Sequence, residues 1–105
     1  MTDRVRPQDC STMAEVRHAI DELDAAIVAM IGERFRYIEA AARIKDRRDA
    51  VRDEARKSQV IDQASRVARQ AGVPGWVISP IYELLVEASI KHELDCFDRH
   101  HAVNE

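Results

Sequence analysis

A stretch of about 36 residues with helical periodicity constrains the fold of this chain most strongly. It runs from Met13 to about Asp49, contains no proline and only one glycine, and repeats apolar residues at steps of three and four. At 1.5 Å per residue such a helix is about 54 Å long. The rest of a 105-residue chain is too small to cover it within a compact monomer. We therefore expect part of this helix to pack against a partner chain.

Two shorter helices are predicted after the long one. The charged segment 46–53 indicates a loop or a frayed helix end. Asp53 is a candidate N-cap for a short second helix that ends at Gly72. A third helix of medium length opens either at Pro74, with Pro80 inside it, or at Pro80 itself.

Composition fits a single all-α domain. The chain is 46% hydrophobic but only 5% aromatic, so aliphatic side chains must fill the core. Ser11 or Thr12 is the predicted N-cap of the long helix, and Glu15 has the spacing of a capping box with Thr12. We predict one domain over residues 1–105, with tails at 1–11 and 98–105.

Charge and cysteine usage exclude several classes of protein. A net charge of −3 argues against nucleic-acid binding through a globally basic surface. The polar N-terminus lacks the apolar core of a signal peptide, and no apolar run approaches the roughly 20 residues of a membrane span. We expect a cytoplasmic protein with no membrane partner. Cys10 and Cys96 lack paired spacing, so we interpret them as structural or incidental thiols.

Four polar residues fall on or beside the apolar stripes of the predicted helices. Arg34 and Lys45 lie eleven residues apart on the long helix, about three turns, and both should face the core side. Ser89 and Glu93 lie one turn apart on the third helix. An ion pair between Glu93 and one of the cations is the simplest explanation. A substrate pocket is the alternative.

Arg17 and Arg34 point in different directions from the axis of the long helix. The two lie about 100° apart around the helix axis, so one chain cannot aim both into one pocket. If both serve one ligand, Arg17 must come from the partner. With Arg56, these cations suit a small dianion, because guanidinium groups bind carboxylates bidentately. A pocket of these residues contains neither a metal-ligand cluster nor a glycine-rich phosphate loop, and the sequence shows no convincing nucleophile–base pair, so we expect neither a cofactor nor a metal.

Together these residues resemble the all-α AroQ class of chorismate mutases, which includes an isochorismate pyruvate lyase branch. The resemblance covers about residues 7–97. It is carried by the segment Val16–Asp24, Glu33-Arg34, Ala41-Ala42-Arg43-Ile44-Lys45, and Val51-Arg52-Asp53 followed by Arg56.

The resemblance implies an intertwined homodimer of three-helix subunits. Arg34, Lys45 and Arg56 would come from one subunit and Arg17 from the other, and Lys45 would donate to the ether oxygen of chorismate as prephenate forms. Lys45, Glu93 and Arg34 would be catalytic. The implied substrate-binding residues are Arg17, Arg34, Lys45, Asp53, Arg56, Ser89 and Glu93.

Two departures from the family pattern leave the substrate open. Glu93 replaces a common glutamine donor, and only a protonated carboxyl can donate. Lys57 replaces a glutamate that contacts the substrate's ring hydroxyl. The segment 7–10 resembles lyase chains, whereas Ser89 matches the mutase pattern. Alternatives to a mutase are therefore an isochorismate pyruvate lyase, a non-catalytic helical dimer and, as the weakest, a DNA-binding domain.

Overall fold

Three α-helices make up most of the chain. The computed structural model describes residues 4–103, with side chains through residue 102, and no strand occurs in this range. The elements are α1 (Met13–Ile44), α2 (Glu54–Gln70) and α3 (Gly75–Val103), with 3-10 turns at Pro7–Asp9 and Arg48–Ala50. The predicted all-α, three-helix fold is confirmed. Residues 1–3 and 104–105 of the predicted tails lie outside the described residues.

Local signals set the start of α1 and both ends of α2 where the sequence predicts them. The backbone N–H of Thr12 donates to Oε1 of Glu15 at 3.0 Å, and the Glu15 N–H donates to Oγ1 of Thr12 at 3.2 Å. This is a capping box, which satisfies two unpaired donors at the start of α1. Oδ1 of Asp53 accepts from the Arg56 N–H at 3.0 Å and caps α2. Gly72, just beyond α2, has a φ of 76°, a conformation that glycine adopts without strain.

Helix lengths follow the predicted order of long, short and medium, with 32, 17 and 29 residues. α1 ends at Ile44, short of the predicted limit near residue 49, because the charged segment after it forms a loop with a 3-10 turn. α3 begins at Gly75, so Pro80 lies inside the helix and costs it one backbone hydrogen bond. Residues 98–103 continue α3. No helix within residues 4–103 is long and apolar enough to cross a membrane.

The chain divides into two compact units, Met1–Arg34 and Phe35–Glu105. The second unit holds a hydrophobic core made by the end of α1, the loop after it, and α3: Ala42, Val51, Val86, Ile90 and Phe97. In the first unit the apolar stripe of α1 stays uncovered. Its residues are between 44% and 66% exposed: Ile20, Leu23, Ile27 and Met30.

Candidate active site

A buried ion pair joins the residue after α1 to the middle of α3. Nζ of Lys45 donates to Oε2 of Glu93 at 2.6 Å. Glu93 is only 5% exposed, and the Lys45 side chain is 31% exposed. A buried carboxylate needs a partner of this kind, because water no longer solvates its charge. The predicted pairing of Glu93 with a cation is therefore observed, and in it the carboxylate is an acceptor rather than a donor.

Ser89 lies one helical turn before Glu93 on the same face of α3. It is 4% exposed, and its hydroxyl donates to the Leu85 carbonyl at 2.7 Å. A bond of this type satisfies a hydroxyl within its own helix. Ser89 and Glu93 are thus two buried polar groups on a face that otherwise carries core residues.

Asp53 and Arg56 meet at the start of α2. The carboxylate of Asp53 is used by the N-cap bond to the Arg56 backbone, which gives it a structural role in the helix. The Arg56 guanidinium is exposed and donates to Oε1 of Gln59 at 2.7 Å. Both side chains therefore stand at a solvent-accessible helix end.

Arg17 and Arg34 lie in the first unit, both on α1. Arg17 is exposed and Arg34 is half-buried. Seventeen residues of helix separate them by about 26 Å along the axis and about 100° around it. A single copy of α1 therefore does not bring these two guanidinium groups together.

Lys57 is held in a network of charges between α2 and α3. Its Nζ lies 2.6 Å from Oε1 of Glu83 and 2.8 Å from Oε2 of Glu87. Arg52 binds the same Glu87 bidentately at 2.8 and 3.0 Å. Hydrogen bonds from Arg52 and then Lys57 lower the pKa of Glu87 from 4.5 to about 2. Hydrogen bonds to Glu83 and then Glu87 raise the pKa of Lys57.

The structure also brings together three residues that sequence reasoning did not combine. Nε2 of His92 is 2.7 Å from Oε2 of Glu39 and 3.7 Å from Sγ of Cys96. The spacing of His92 and Cys96, one turn apart on a helix, is a sequence signal that they share a face. Glu39 could not have been added from the sequence, because it comes from α1, more than fifty residues earlier.

Comparison with known proteins finds a matching family and a similar protein. Residues 16–94 match the chorismate mutase type II family. The chain is also similar to an isochorismate pyruvate lyase from Pseudomonas aeruginosa, with 27% identity over 88 residues that cover 84% of this chain and 87% of the relative. The range that matches the family contains every predicted site residue, from Arg17 to Glu93.

Proposed function

Because the chain belongs to the chorismate mutase type II family, we propose that it is an enzyme that rearranges chorismate to prephenate. The observation that carries the proposal is the buried Lys45–Glu93 pair within the matched range. A cation held beside a buried carboxylate is a preorganised donor, and a preorganised donor stabilises charge that develops during a reaction.

Lys45 is the proposed donor to the ether oxygen of the substrate. In the rearrangement one C–O bond breaks while one C–C bond forms, and the ether oxygen gains negative charge. The ammonium group of Lys45 has three N–H donors, of which one goes to Glu93. The others can donate to the oxygen more strongly in the transition state than in the ground state, which lowers the barrier. Glu93 acts here by fixing the position of Lys45.

Substrate binding is proposed to use the family's cations. Arg34 and Arg56 of one subunit and Arg17 of the other would hold the two carboxylates of the dianion. Guanidinium forks suit this task because they bind carboxylates bidentately, and a held dianion is kept in its reactive shape. Asp53 and Ser89 complete the proposed binding set.

A homodimer is part of the proposal. The stripe Ile20, Leu23, Ile27 and Met30 exposes large aliphatic side chains along one face of α1. An uncovered apolar stripe of this length is typical of a protein interface. A second copy of α1 would cover it and would supply Arg17, which one chain cannot aim at the same ligand as Arg34.

A second candidate function is the isochorismate pyruvate lyase reaction, which yields salicylate and pyruvate. Two observations favour it. The Pseudomonas aeruginosa relative is a lyase, and Lys57 stands where the mutase pattern has a glutamate. A lysine ammonium has donors but no acceptor, so the side chain of Lys57, which two carboxylates of α3 bind in the structure, cannot accept from a ring hydroxyl. The ether C–O bond breaks in both reactions. In the lyase reaction the enolpyruvyl CH₂ carbon gains a hydrogen from the ring instead of forming a C–C bond to it, so Lys45 keeps its role at the ether oxygen.

Product identity separates the candidates. Purified protein is incubated with chorismate and, separately, with isochorismate, and prephenate, salicylate and pyruvate are measured. We expect prephenate from chorismate as the faster reaction. Faster release of salicylate from isochorismate would establish the lyase instead, and no turnover of either substrate would leave a non-catalytic helical dimer.

Two substitutions test the roles of the ion pair. Lys45→Met keeps the length of the side chain but removes every donor, and we expect turnover to fall by about 10²-fold or more. Glu93→Gln is the matched control, since its amide oxygen can still accept from Lys45 and its NH₂ adds a donor, so turnover should be retained or increased. Full activity of Lys45→Met, or an equal loss in both variants, would contradict the proposal.

A further inference from the structure

A second constellation of polar side chains lies between α1 and α3, apart from the Lys45–Glu93 pair. We call it the Glu39 cluster, and it consists of Glu39 on α1 with His92 and Cys96 on α3. One oxygen, one nitrogen and one sulfur atom of these residues lie within 4.8 Å of one another. All three residues are half-buried, so an ion from solvent can reach them.

Distances within the cluster are close to those in a tetrahedral metal site. Around a zinc ion, with metal–ligand distances of about 2.0 to 2.3 Å, neighbouring ligand atoms are about 3.3 to 3.6 Å apart. The histidine nitrogen lies 3.7 Å from the Cys96 sulfur and 2.7 Å from the Glu39 oxygen. The sulfur and a carboxylate oxygen of Glu39 lie within 4.8 Å of each other. Each distance therefore needs a change of about 1.3 Å or less to reach the tetrahedral values, which rotation of a half-exposed side chain supplies.

The histidine is held in place by the helices around it. His92 and Cys96 are one turn apart and point from the same face of α3. The ring of Phe35 stacks on the His92 ring at a centroid distance of 5.2 Å. A ligand whose ring is already oriented loses little freedom when a metal binds, and this raises the affinity of a site.

Two arginines compete with a metal at this position. Arg36 lies 3.1 Å from the Glu39 carboxylate, and Arg99 donates to the Cys96 sulfur at 3.3 Å. Both belong to contacts at the exposed surface, and the Arg36 side chain is 66% exposed. Long exposed side chains of this kind can rotate into solvent at little cost, because exposed ion pairs contribute little stability. In the absence of a metal, these two arginines are the partners of Glu39 and Cys96.

From this geometry we propose that Glu39, His92 and Cys96 bind a divalent transition-metal ion of the zinc type. Imidazole nitrogen, thiolate sulfur and carboxylate oxygen are ligands that zinc accepts, and three protein ligands leave a fourth position for water. Binding displaces the thiol proton and places the His92 ring proton on Nδ1. The ion would tie α1 to α3 in the second unit, and the inference does not depend on the proposed reaction.

Cobalt(II) is a direct probe of the site, because a cobalt–thiolate bond absorbs in the near ultraviolet. Protein freed of metal with a chelator is titrated with Co²⁺ alone. We expect saturation at one ion per chain, with a thiolate-to-cobalt band that is lost in Cys96→Ser. The matched control Cys10→Ser removes the other cysteine and should keep the band. A titration without the band, or a band that survives in Cys96→Ser, overturns the proposal.

Stabilisation of the folded protein by zinc tests Glu39 and His92 as ligands without a spectroscopic signal from the Cys96 thiol. Zn²⁺ should raise the midpoint of thermal unfolding of the metal-free protein, since a ligand that binds only the folded state stabilises it. Glu39→Gln and His92→Gln should each weaken Zn²⁺ binding by at least about tenfold, whereas His18→Gln, a histidine of the first unit, should not. Circular dichroism without metal checks that each variant is folded. Equal zinc affinity in Glu39→Gln, His92→Gln and the unsubstituted protein would rule the site out.

Discussion

The two units of the chain differ in the solvent exposure of apolar residues that have the same helical spacing. In the second unit Val86, Ile90 and Phe97 of α3 are 6–8% exposed. In the first unit Ile20 and Ile27 of α1 are about half exposed. Periodicity therefore identifies the face of a helix that avoids water, but it does not identify what covers that face.

The difference also bears on the proposed site. The Lys45–Glu93 pair is complete within the second unit, because one chain supplies both partners. The first unit supplies Arg17 and Arg34, which stand about 26 Å apart on one helix. One chain is enough to form the ion pair and the core of the second unit, whereas the first unit is proposed to need a partner chain. Activity should therefore require two chains, and the formation of the core should not.

Mixing two inactive variants is the strongest test of this contrast. Arg17→Ala and Arg34→Ala should each lower the proposed activity by about 10²-fold or more, because each removes a cation of the proposed carboxylate-binding set. In a mixed dimer one site keeps Arg34 from one chain and Arg17 from the other. Random exchange makes half of the dimers mixed, each with one intact site of two, so co-refolding equal amounts should restore about a quarter of the activity.

The mixing experiment has a matched control in the same chain. Arg34→Ala mixed with Lys45→Met should restore nothing, since both substitutions fall in the part of the site that one subunit supplies. Recovery in this control would mean that Arg34 and Lys45 do not come from the same subunit. No recovery when Arg17→Ala is mixed with Arg34→Ala would mean that Arg17 does not cross to the partner.

Much of the fold could be predicted because its signals are local. The capping box of Thr12 and Glu15, the Asp53 cap and the left-handed Gly72 each depend on a few neighbouring residues. The start of α3 stayed open because two prolines offer similar signals for a helix N-terminus. In the structure α3 begins at Gly75, directly after Pro74, and this decides between the two prolines.

The site could be predicted only in part, because its contacts join distant segments. The stripe positions of Lys45 and Glu93 indicated buried charges, and the structure adds that they bond each other. The charge network that binds Lys57 links α2 with α3, and the Glu39 cluster links α1 with α3. No spacing along the sequence shows which residue of another helix lies opposite, and such contacts therefore need a structure.

A pair of identical substitutions compares the two apolar surfaces directly. Ile90→Ala leaves a cavity in the core of the second unit and should lower the free energy of unfolding by about 2 to 5 kcal/mol. The loss of unfolding free energy caused by Ile27→Ala should depend on protein concentration, because this residue would be buried only by a second copy of the chain. Urea unfolding at two protein concentrations measures both. A cost of Ile27→Ala that does not change with concentration would argue against a dimer interface along this stripe.

The smallest expected effect concerns the surface of the second unit, where charges rather than apolar groups join the helices. Arg52 and Lys57 lower the pKa of Glu87 from 4.5 to about 2, so the folded state binds the proton less readily than the unfolded state does. This contribution to stability is present above about pH 4.5 and is lost as the pH falls toward 2.

Glu87→Gln should therefore flatten the pH dependence of the urea midpoint in this window. The control Asp62→Asn removes an exposed carboxylate of α2 outside the network and should leave this pH dependence unchanged. Equal slopes for Glu87→Gln and the unsubstituted protein would show that the ion pairs of Glu87 add no stability.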